Sequence, residues 1–182
     1  LEEPLAVRQE EYGLANYSMG YIAFDEEDYD EAAKWFATYV RTEDNTRSKT
    51  LSDAYNRLGD CKFVQKDYWV AIEQYNESIR LGRSDKDYAY FQKGFTYGIL
   101  NRLEQKLEVM KNIVSDLPES PYVDDALFET GRTYVSLGNS NAAVEVYREL
   151  ISDHPNSSYL SKAMNQVGLI YFNQDAYNEA LS

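Results

Sequence analysis

Five glycines recur at nearly constant intervals, and this constrains the fold more than any other feature of the sequence. They are Gly20, Gly59, Gly94, Gly131 and Gly168, separated by 39, 35, 37 and 37 residues. An alanine stands five residues before each one, at Ala15, Ala54, Ala89, Ala126 and Ala163. A period of this length indicates an array of similar units, each of which buries its apolar face against the next.

The spacing inside each unit is that of α-helices. Ala126, Gly131 and Tyr134 fall close to one face at 3.6 residues per turn. Alanine or an aromatic residue recurs twelve and sixteen residues after most of the glycines. Each unit is therefore predicted to be helix A, a tight turn and helix B. Glycine costs about 1 kcal/mol relative to alanine inside a helix, so its recurrence in helix A predicts an approach too close for a β-carbon.

The sequence predicts an all-α protein whose helix starts carry capping residues. Asp28 with Glu31, and Asn101 with Glu104, have the spacing of capping boxes, and Ser120 precedes a proline at the predicted first position of a helix. The predicted helices cover 5–25, 28–42, 48–65, 68–81, 86–100, 102–116, 121–137, 140–153, 158–173 and 175–182.

Composition excludes several classes of function. The net charge of −13 disfavours nucleic acid and anionic membrane surfaces as partners. A single cysteine, Cys61, and a single histidine, His154, leave no ligand set for a zinc site and little basis for nucleophilic catalysis. Cys61 is interpreted as a packed core residue and His154 as a helix-end residue. We therefore expect no metal, no cofactor, no direct membrane insertion and no enzymatic activity.

The repeat resembles the tetratricopeptide repeat family. Leu58, Gly59, Tyr68, Ala71 and Tyr75 match its consensus in one unit, and Gly131, Tyr134, Ala143, Tyr147 and Pro155 match it in another. The resemblance implies an α-α superhelix, with residues 1–182 as a single array. Its units are expected near 9–47, 48–82, 83–119, 120–156 and 157–182, the last truncated and so part of a longer array. Lys106 and Met110 depart from the consensus, which predicts a looser helix pair in the third unit.

A second pattern narrows the resemblance. Pro118 and Pro155 each begin a Pro-x-Ser-x-Tyr-x-x-x-Ala segment, which is similar to tetratricopeptide proteins of the bacterial cell envelope. This favours a periplasmic or outer-membrane-associated location over a cytoplasmic one.

The resemblance also implies which residues face a partner. In the family, ligand-facing positions on helix A lie six and three residues before the glycine, and one and four after it. From these positions we expect a partner-binding surface of Tyr17, Tyr21, Phe24, Asn56, Phe63, Tyr88, Phe91, Phe95, Phe128, Arg132, Asn165 and Phe172. Only Arg132 and Lys162 could serve the family's clamp for C-terminal carboxylates, so that specificity is not expected.

Two functions are consistent with these residues. One is a non-enzymatic scaffold that binds a protein or peptide, of identity not given by the sequence, on an aromatic and acidic concave surface. The other is a structural spacer or self-association module, in which the aromatic side chains pack between helices and units. The sequence leaves the oligomeric state open.

Overall fold

The protein is all-α, as predicted. The computed structural model describes residues 5–174, and within that range it contains nine α-helices and no strand. They are α1 (Leu5–Asp25), α2 (Tyr29–Thr42), α3 (Lys49–Val64), α4 (Tyr68–Leu81), α5 (Lys86–Ile99), α6 (Leu103–Asp116), α7 (Val123–Ser136), α8 (Ser140–Asp153) and α9 (Leu160–Asn173). The helix predicted over 175–182 lies outside the described residues.

The turn between helix A and helix B has the same backbone conformation in four of the sequence repeats. The residue seven positions after the repeat glycine is left-handed, with φ of 60° at Glu27, 63° at Lys66, 54° at Asn101 and 74° at Gly138. In each turn the amide of the next residue donates a hydrogen bond back five residues, as Asp67 N does to Lys62 O at 2.9 Å. This is the Schellman arrangement, which satisfies the last carbonyls of helix A.

The conformation of this turn contradicts one predicted helix cap, that of Asn101. Asn101 occupies the left-handed position, and α6 begins only after Arg102, so Asn101 does not cap it. Asparagine suits this position because its short polar side chain tolerates the left-handed conformation. The other capping box is confirmed, since the Asp28 side chain accepts a hydrogen bond from Glu31 N at 3.0 Å.

The predicted cap of α7 is also wrong, although the helix starts only two residues later than predicted. The helix begins at Val123, and the Ser120 hydroxyl accepts a hydrogen bond from Tyr122 N at 3.1 Å. Ser120 and Pro121 therefore belong to the turn before the helix, where a serine side chain closes a local loop of its own. The other starts and ends lie within two residues of the prediction.

Three of the repeat glycines lie directly against an aromatic ring of helix B. A β-carbon built on Gly20 would stand 2.7 Å from the Phe36 ring. On Gly59 it would stand 2.6 Å from the ring of Tyr75, and on Gly131 it would stand 2.5 Å from Tyr147. These aromatic side chains are fully buried. The prediction that a β-carbon would collide is confirmed at these three positions.

Independently of the five sequence repeats, the chain divides into two compact structural units. The first unit ends at Thr96 and the second unit begins at Tyr97. In the first unit, α2 and α3 share an apolar core that includes Phe36, Tyr39, Ala54 and Cys61. In the second, α7 contacts both α6 and α8, and α8 contacts α9. Cys61 is fully buried, and His154 is the residue that ends α8, so both interpretations from the sequence are confirmed. The single array over 1–182 stays a prediction.

Replacement of Gly59 by alanine tests the close approach. The new β-carbon must displace the Tyr75 ring inside a packed core, and we expect Gly59→Ala to lower the free energy of unfolding by about 1–3 kcal/mol. Gly13→Ala is the matched control. A β-carbon there would meet Tyr39 at an ordinary 3.7 Å, so the higher helix propensity of alanine raises stability by about 0.5–1 kcal/mol. Urea unfolding of both variants measures this, and an unchanged midpoint for Gly59→Ala contradicts the packing argument.

Candidate functional site

Two predicted surface residues of α1 are bound to a carboxylate of α3. The hydroxyls of Tyr17 and Tyr21 donate hydrogen bonds to Asp53 Oδ2 at 2.7 and 2.5 Å. Their rings are 5.1 Å apart, edge to face, and pack partly buried against the core. Tyr17 and Tyr21, which were expected to face a partner, therefore use their hydroxyls to hold α1 to Asp53 of α3.

A second carboxylate of α3, that of Asp60, accepts hydrogen bonds from side chains of two further helices. It accepts hydrogen bonds at 2.9 Å from the hydroxyls of Tyr75 on α4 and Tyr88 on α5. Arg57 Nη1 also donates to it, at 2.6 Å. Asp60 thus connects α3, α4 and α5 through one side chain that is only 12% exposed.

Arg57 lies between the two acids and between two aromatic rings. Its Nε is 3.7 Å from Asp53 Oδ1, and its guanidinium lies 5.7 Å from the Phe24 ring centroid and 4.8 Å from that of Tyr88. Only 19% of its side chain is exposed. One cation between two carboxylates leaves this cluster a net charge of −1, and the planar guanidinium suits both the stacking and the paired acids.

We call Asp53, Arg57, Asp60 and the tyrosines 17, 21, 75 and 88 the tyrosine–acid network. The sequence prediction missed Arg57. The signal was present, since Asp53, Arg57 and Asp60 are spaced four and three residues apart and must therefore share one helix face.

The network keeps its tyrosines protonated. Burial and the neighbouring Asp53 raise the pKa of Tyr21 to about 12, and the same causes raise the pKa of Tyr17 further. Burial and Asp60 raise the pKa of Tyr75 and Tyr88 well above the usual range. Burial also raises the pKa of Asp60, against the opposing effect of Arg57 and its two tyrosine donors. At neutral pH these hydroxyls are fixed donors rather than proton carriers.

Next to the network lies an apolar surface that we call the aromatic patch, made of Phe63 on α3 and Phe91 and Phe95 on α5. The Phe63 ring is 5.9 Å from that of Phe95 and 5.4 Å from that of Tyr68. Phe63 and Phe91 are half-buried, whereas 41% of Phe95 is exposed. The spacing of Tyr88, Phe91 and Phe95 along α5 puts all three on one face of that helix.

Two residues of the expected surface are buried. Asn56 is fully buried on α3, and its Nδ2 donates to Asp85 O at 3.4 Å. Phe128 on α7 is only 8% exposed and stacks on Tyr159 with ring centroids 4.6 Å apart. Both pack against neighbouring elements and offer no surface to a partner, so the prediction is wrong for them.

The second unit has a cluster with the opposite order of charges. Glu129, which like Arg57 stands two residues before its repeat glycine, pairs with Lys106 Nζ at 2.5 Å and with Arg132 at 2.7 Å. Lys106 is buried there, which explains the departure from the consensus at that position, while Arg132 is exposed. Asn165 and Phe172 are exposed on α9. Of the predicted residues in this unit, only Phe128 is removed from the surface.

The Pro-x-Ser-x-Tyr segment before α9 has a structural role. The Ser157 hydroxyl donates to Asp124 Oδ2 at 2.6 Å and accepts from Tyr159 N at 3.0 Å. The Tyr159 hydroxyl donates to Asp125 at 2.6 Å. The segment therefore fastens the start of α9 to the start of α7 through two carboxylates.

Within the described range, the side chains form no group of three or more potential metal ligands. No helix in that range combines the length and apolar character needed to span a bilayer.

Comparisons with known proteins agree with this architecture. Residues 125–157, which hold most of α7 and all of α8, match the family model of the tetratricopeptide repeat. A crystal structure of MamA is 20% identical, covers 90% of this chain and 88% of its own, and superposes with a TM-score of 0.73. The chain has the tetratricopeptide-repeat fold.

Two further structures extend the comparison. A tetratricopeptide repeat protein from Parabacteroides merdae is 17% identical over 93% of this chain and 63% of its own, with a TM-score of 0.77. YrrB, a tetratricopeptide repeat protein with an unusual peptide-binding site, is 16% identical over 97% of this chain and 85% of its own, at 0.70. These comparisons indicate no catalytic family. Among curated proteins, no sequence matches this chain.

The raised tyrosine pKa values predict alkaline destabilisation. A tyrosine in the unfolded chain ionises near pH 10, whereas burial and Asp53 hold the pKa of Tyr21 at about 12 in the folded chain. The stabilisation is complete below pH 10. It falls as the pH rises from 10 to 12, because the unfolded state then releases protons that the native state retains. Urea unfolding midpoints measured across this range should fall more gently for Tyr21→Phe than for wild type. Tyr12→Phe, at an exposed position outside the network, is the control, and an equal slope for both variants contradicts the assignment.

Removal of the network's cation tests what Arg57 contributes. Arg57→Met keeps the aliphatic stem but leaves Asp53 and Asp60 facing each other without a counter-charge. We expect a loss of about 3 kcal/mol in the free energy of unfolding. Arg80→Met removes an exposed pair with Glu77 at 2.7 Å and should change stability little. Chemical denaturation compares the two variants, and equal effects would show that the network does not depend on its cation.

Proposed function

We propose that this chain is a non-enzymatic scaffold whose first unit binds a protein segment through the aromatic patch. The observation that carries the proposal is Phe95, a phenylalanine with 41% of its surface exposed and a ring centroid 5.9 Å from that of Phe63. An exposed ring that is already held by a neighbour loses little side-chain entropy on binding, which is what interface anchors require.

The tyrosine–acid network serves as the frame of this site. Its hydroxyls and carboxylates are engaged with one another, so a partner would have to break existing hydrogen bonds to use them. Tyr17, Tyr21 and Tyr88 accordingly position the helices, and Phe24 supports Arg57. The free energy of binding then comes from apolar contact with the patch.

Charge limits which partners fit. The chain carries a net −13 and the network a net −1, so an acidic segment is repelled as it approaches. The proposed partner is a peptide or protein segment with one or two large apolar side chains and flanking basic or neutral residues. The unusual peptide-binding site of YrrB supports this class of function for the fold.

The second unit contributes separately to the proposal through its exposed residues Arg132, Asn165 and Phe172. The bacterial cell-envelope setting is also part of the proposal, and its support is the repeated Pro-x-Ser-x-Tyr segment. The contacts of Ser157 and Tyr159 give that segment a structural reason of its own.

Peptide selection tests the site without knowledge of the natural partner. A displayed library of random peptides is selected on the immobilised wild-type chain, and the enriched peptides are measured against variants. Phe95→Ala should weaken their binding at least about tenfold, which corresponds to about 1.4 kcal/mol. Trp69→Ala removes an aromatic ring of helix B that is somewhat more exposed, since Trp69 is 51% exposed on α4, and should leave binding unchanged.

Circular dichroism of both variants confirms that the helices remain. If no peptide is enriched, or if the enriched peptides bind Phe95→Ala as tightly as wild type, the patch is not the binding site.

A further inference from the structure

A buried hydroxyl of the second unit lacks the partner that its counterpart has in the first unit. Tyr75 and Tyr147 both stand sixteen residues after a repeat glycine, and each lays the same ring atoms, Cε1, Cδ1 and Cζ, on that glycine. Both side chains are fully buried. The Tyr75 hydroxyl donates to Asp60 at 2.9 Å, whereas within residues 5–174 the Tyr147 hydroxyl has no hydrogen-bond partner. Buried donors without an acceptor are rare because they are costly in free energy.

The missing acceptor follows from a change of charge at one repeat position. The residue directly after the repeat glycine is Asp60 in the first unit and Arg132 in the second. Because the two tyrosine rings lie on their glycines in the same way, the Tyr147 hydroxyl is directed towards Arg132 as that of Tyr75 is towards Asp60. Burial raises the pKa of Tyr147 to about 12, and the charge of Arg132 opposes this rise, as a nearby cation does. Two donors therefore meet where the first unit pairs a donor with an acceptor.

The repeat register adds a third donor. Tyr88, six residues before its repeat glycine, also donates to Asp60. The residue six positions before Gly168 is Lys162, which is exposed on α9. The second unit thus has donors at all three repeat positions that surround the carboxylate of Asp60, and no carboxylate at the position of Asp60 itself.

A row of ring contacts connects Lys162 to the unpartnered hydroxyl. The Phe128 ring lies 5.8 Å from the Tyr147 ring and 4.6 Å from the Tyr159 ring, centroid to centroid. Lys162 Nζ lies 5.2 Å from the centroid of Tyr159. The lysine is therefore held on the side of α7 that carries Phe128.

The acids of this region are already engaged, whereas its cation is accessible. Glu129 pairs with Lys106 and Arg132, and Asp125 accepts a hydrogen bond from Tyr159 at 2.6 Å. The Arg132 side chain is nevertheless 60% exposed. Exposed side chains change rotamer within picoseconds to nanoseconds, so Arg132 can turn towards an added anion and admit it to the hydroxyl beneath.

We propose that the second unit binds an aspartate or glutamate side chain of a protein partner between Arg132, Lys162 and the hydroxyl of Tyr147. The partner's carboxylate takes the place that Asp60 fills in the first unit, and it accepts charge-assisted hydrogen bonds there. This inference rests on the proposed scaffold function and names the group that the second unit recognises. The rest of the bound segment is neutral or basic, because the net charge of −13 repels further acids.

Peptide selection on Phe95→Ala, a chain without the anchor of the aromatic patch, tests the proposal. Random peptides are displayed with their C-termini fused to the carrier, so that side chains supply every carboxylate. The enriched peptides should share one aspartate or glutamate. Synthetic copies with both ends blocked should bind at least about tenfold less tightly when the amide residue replaces that acid.

A selection that enriches no peptide, or only peptides without an acid, overturns the proposal, as does equal binding of the amide copies. A peptide whose only carboxylate is a free C-terminus should not bind, and tight binding of such a peptide would contradict recognition of a side chain. These outcomes are independent of the aromatic patch, since its anchor is absent from every chain used.

The two equivalent tyrosines supply matched variants, each added to Phe95→Ala. Tyr147→Phe removes a hydroxyl without a partner in the free chain, so it should not lower the urea midpoint but should weaken the acidic peptides about tenfold. Tyr75→Phe removes the hydroxyl bonded to Asp60, so it should lower the midpoint and leave binding unchanged. Arg132→Gln should weaken binding as well, and circular dichroism verifies that all variants are helical. Unchanged peptide binding by Tyr147→Phe, or a lowered midpoint, overturns the assignment.

Discussion

The fold depends on one contact repeated along the chain, an aromatic ring of helix B laid on the bare backbone of a glycine in helix A. At Gly59 and Tyr75 this contact leaves no room for a single carbon atom. It brings the two helices of a pair into close contact, and at Gly59 it places Tyr75 where its hydroxyl reaches Asp60. Tyr75 therefore belongs both to a glycine contact and to the tyrosine–acid network.

The polar and apolar halves of the candidate site act differently. The network binds four helices of the first unit together through two carboxylates, and its members satisfy one another. The network therefore stabilises the fold itself, because a desolvated carboxylate is costly in free energy unless hydrogen-bond donors or a cation surround it. The exposed part of the Phe95 ring in the aromatic patch makes no such contribution to the fold. Rigidity from one half and exposed apolar area from the other are the two properties that a protein-binding surface needs.

Local features of the fold could be predicted from the sequence, and non-local ones could not. Periodicity located the helices, which follow from spacing within a few residues, and the glycine contacts, whose aromatic partner stands sixteen residues after the glycine. Asn101 was misread because an asparagine suits both a helix cap and a left-handed turn. The burial of Asn56 and the hydrogen bonds of Tyr17 to Asp53 depend on residues about thirty positions apart. Helical spacing gives the face on which such residues lie but not the atoms that meet there.

The reversed charge order of the two clusters has a consequence for how such an array can evolve. Arg57 stands between two acids, whereas Glu129 stands between two bases at the same repeat position. Exchange of Arg57 alone for the glutamate of the second unit would bring three carboxylates together in a half-buried space, whereas a longer exchanged segment would also carry Arg132 to the position of Asp60. The charged residues at these repeat positions can therefore change from one unit to the other only together, as a set.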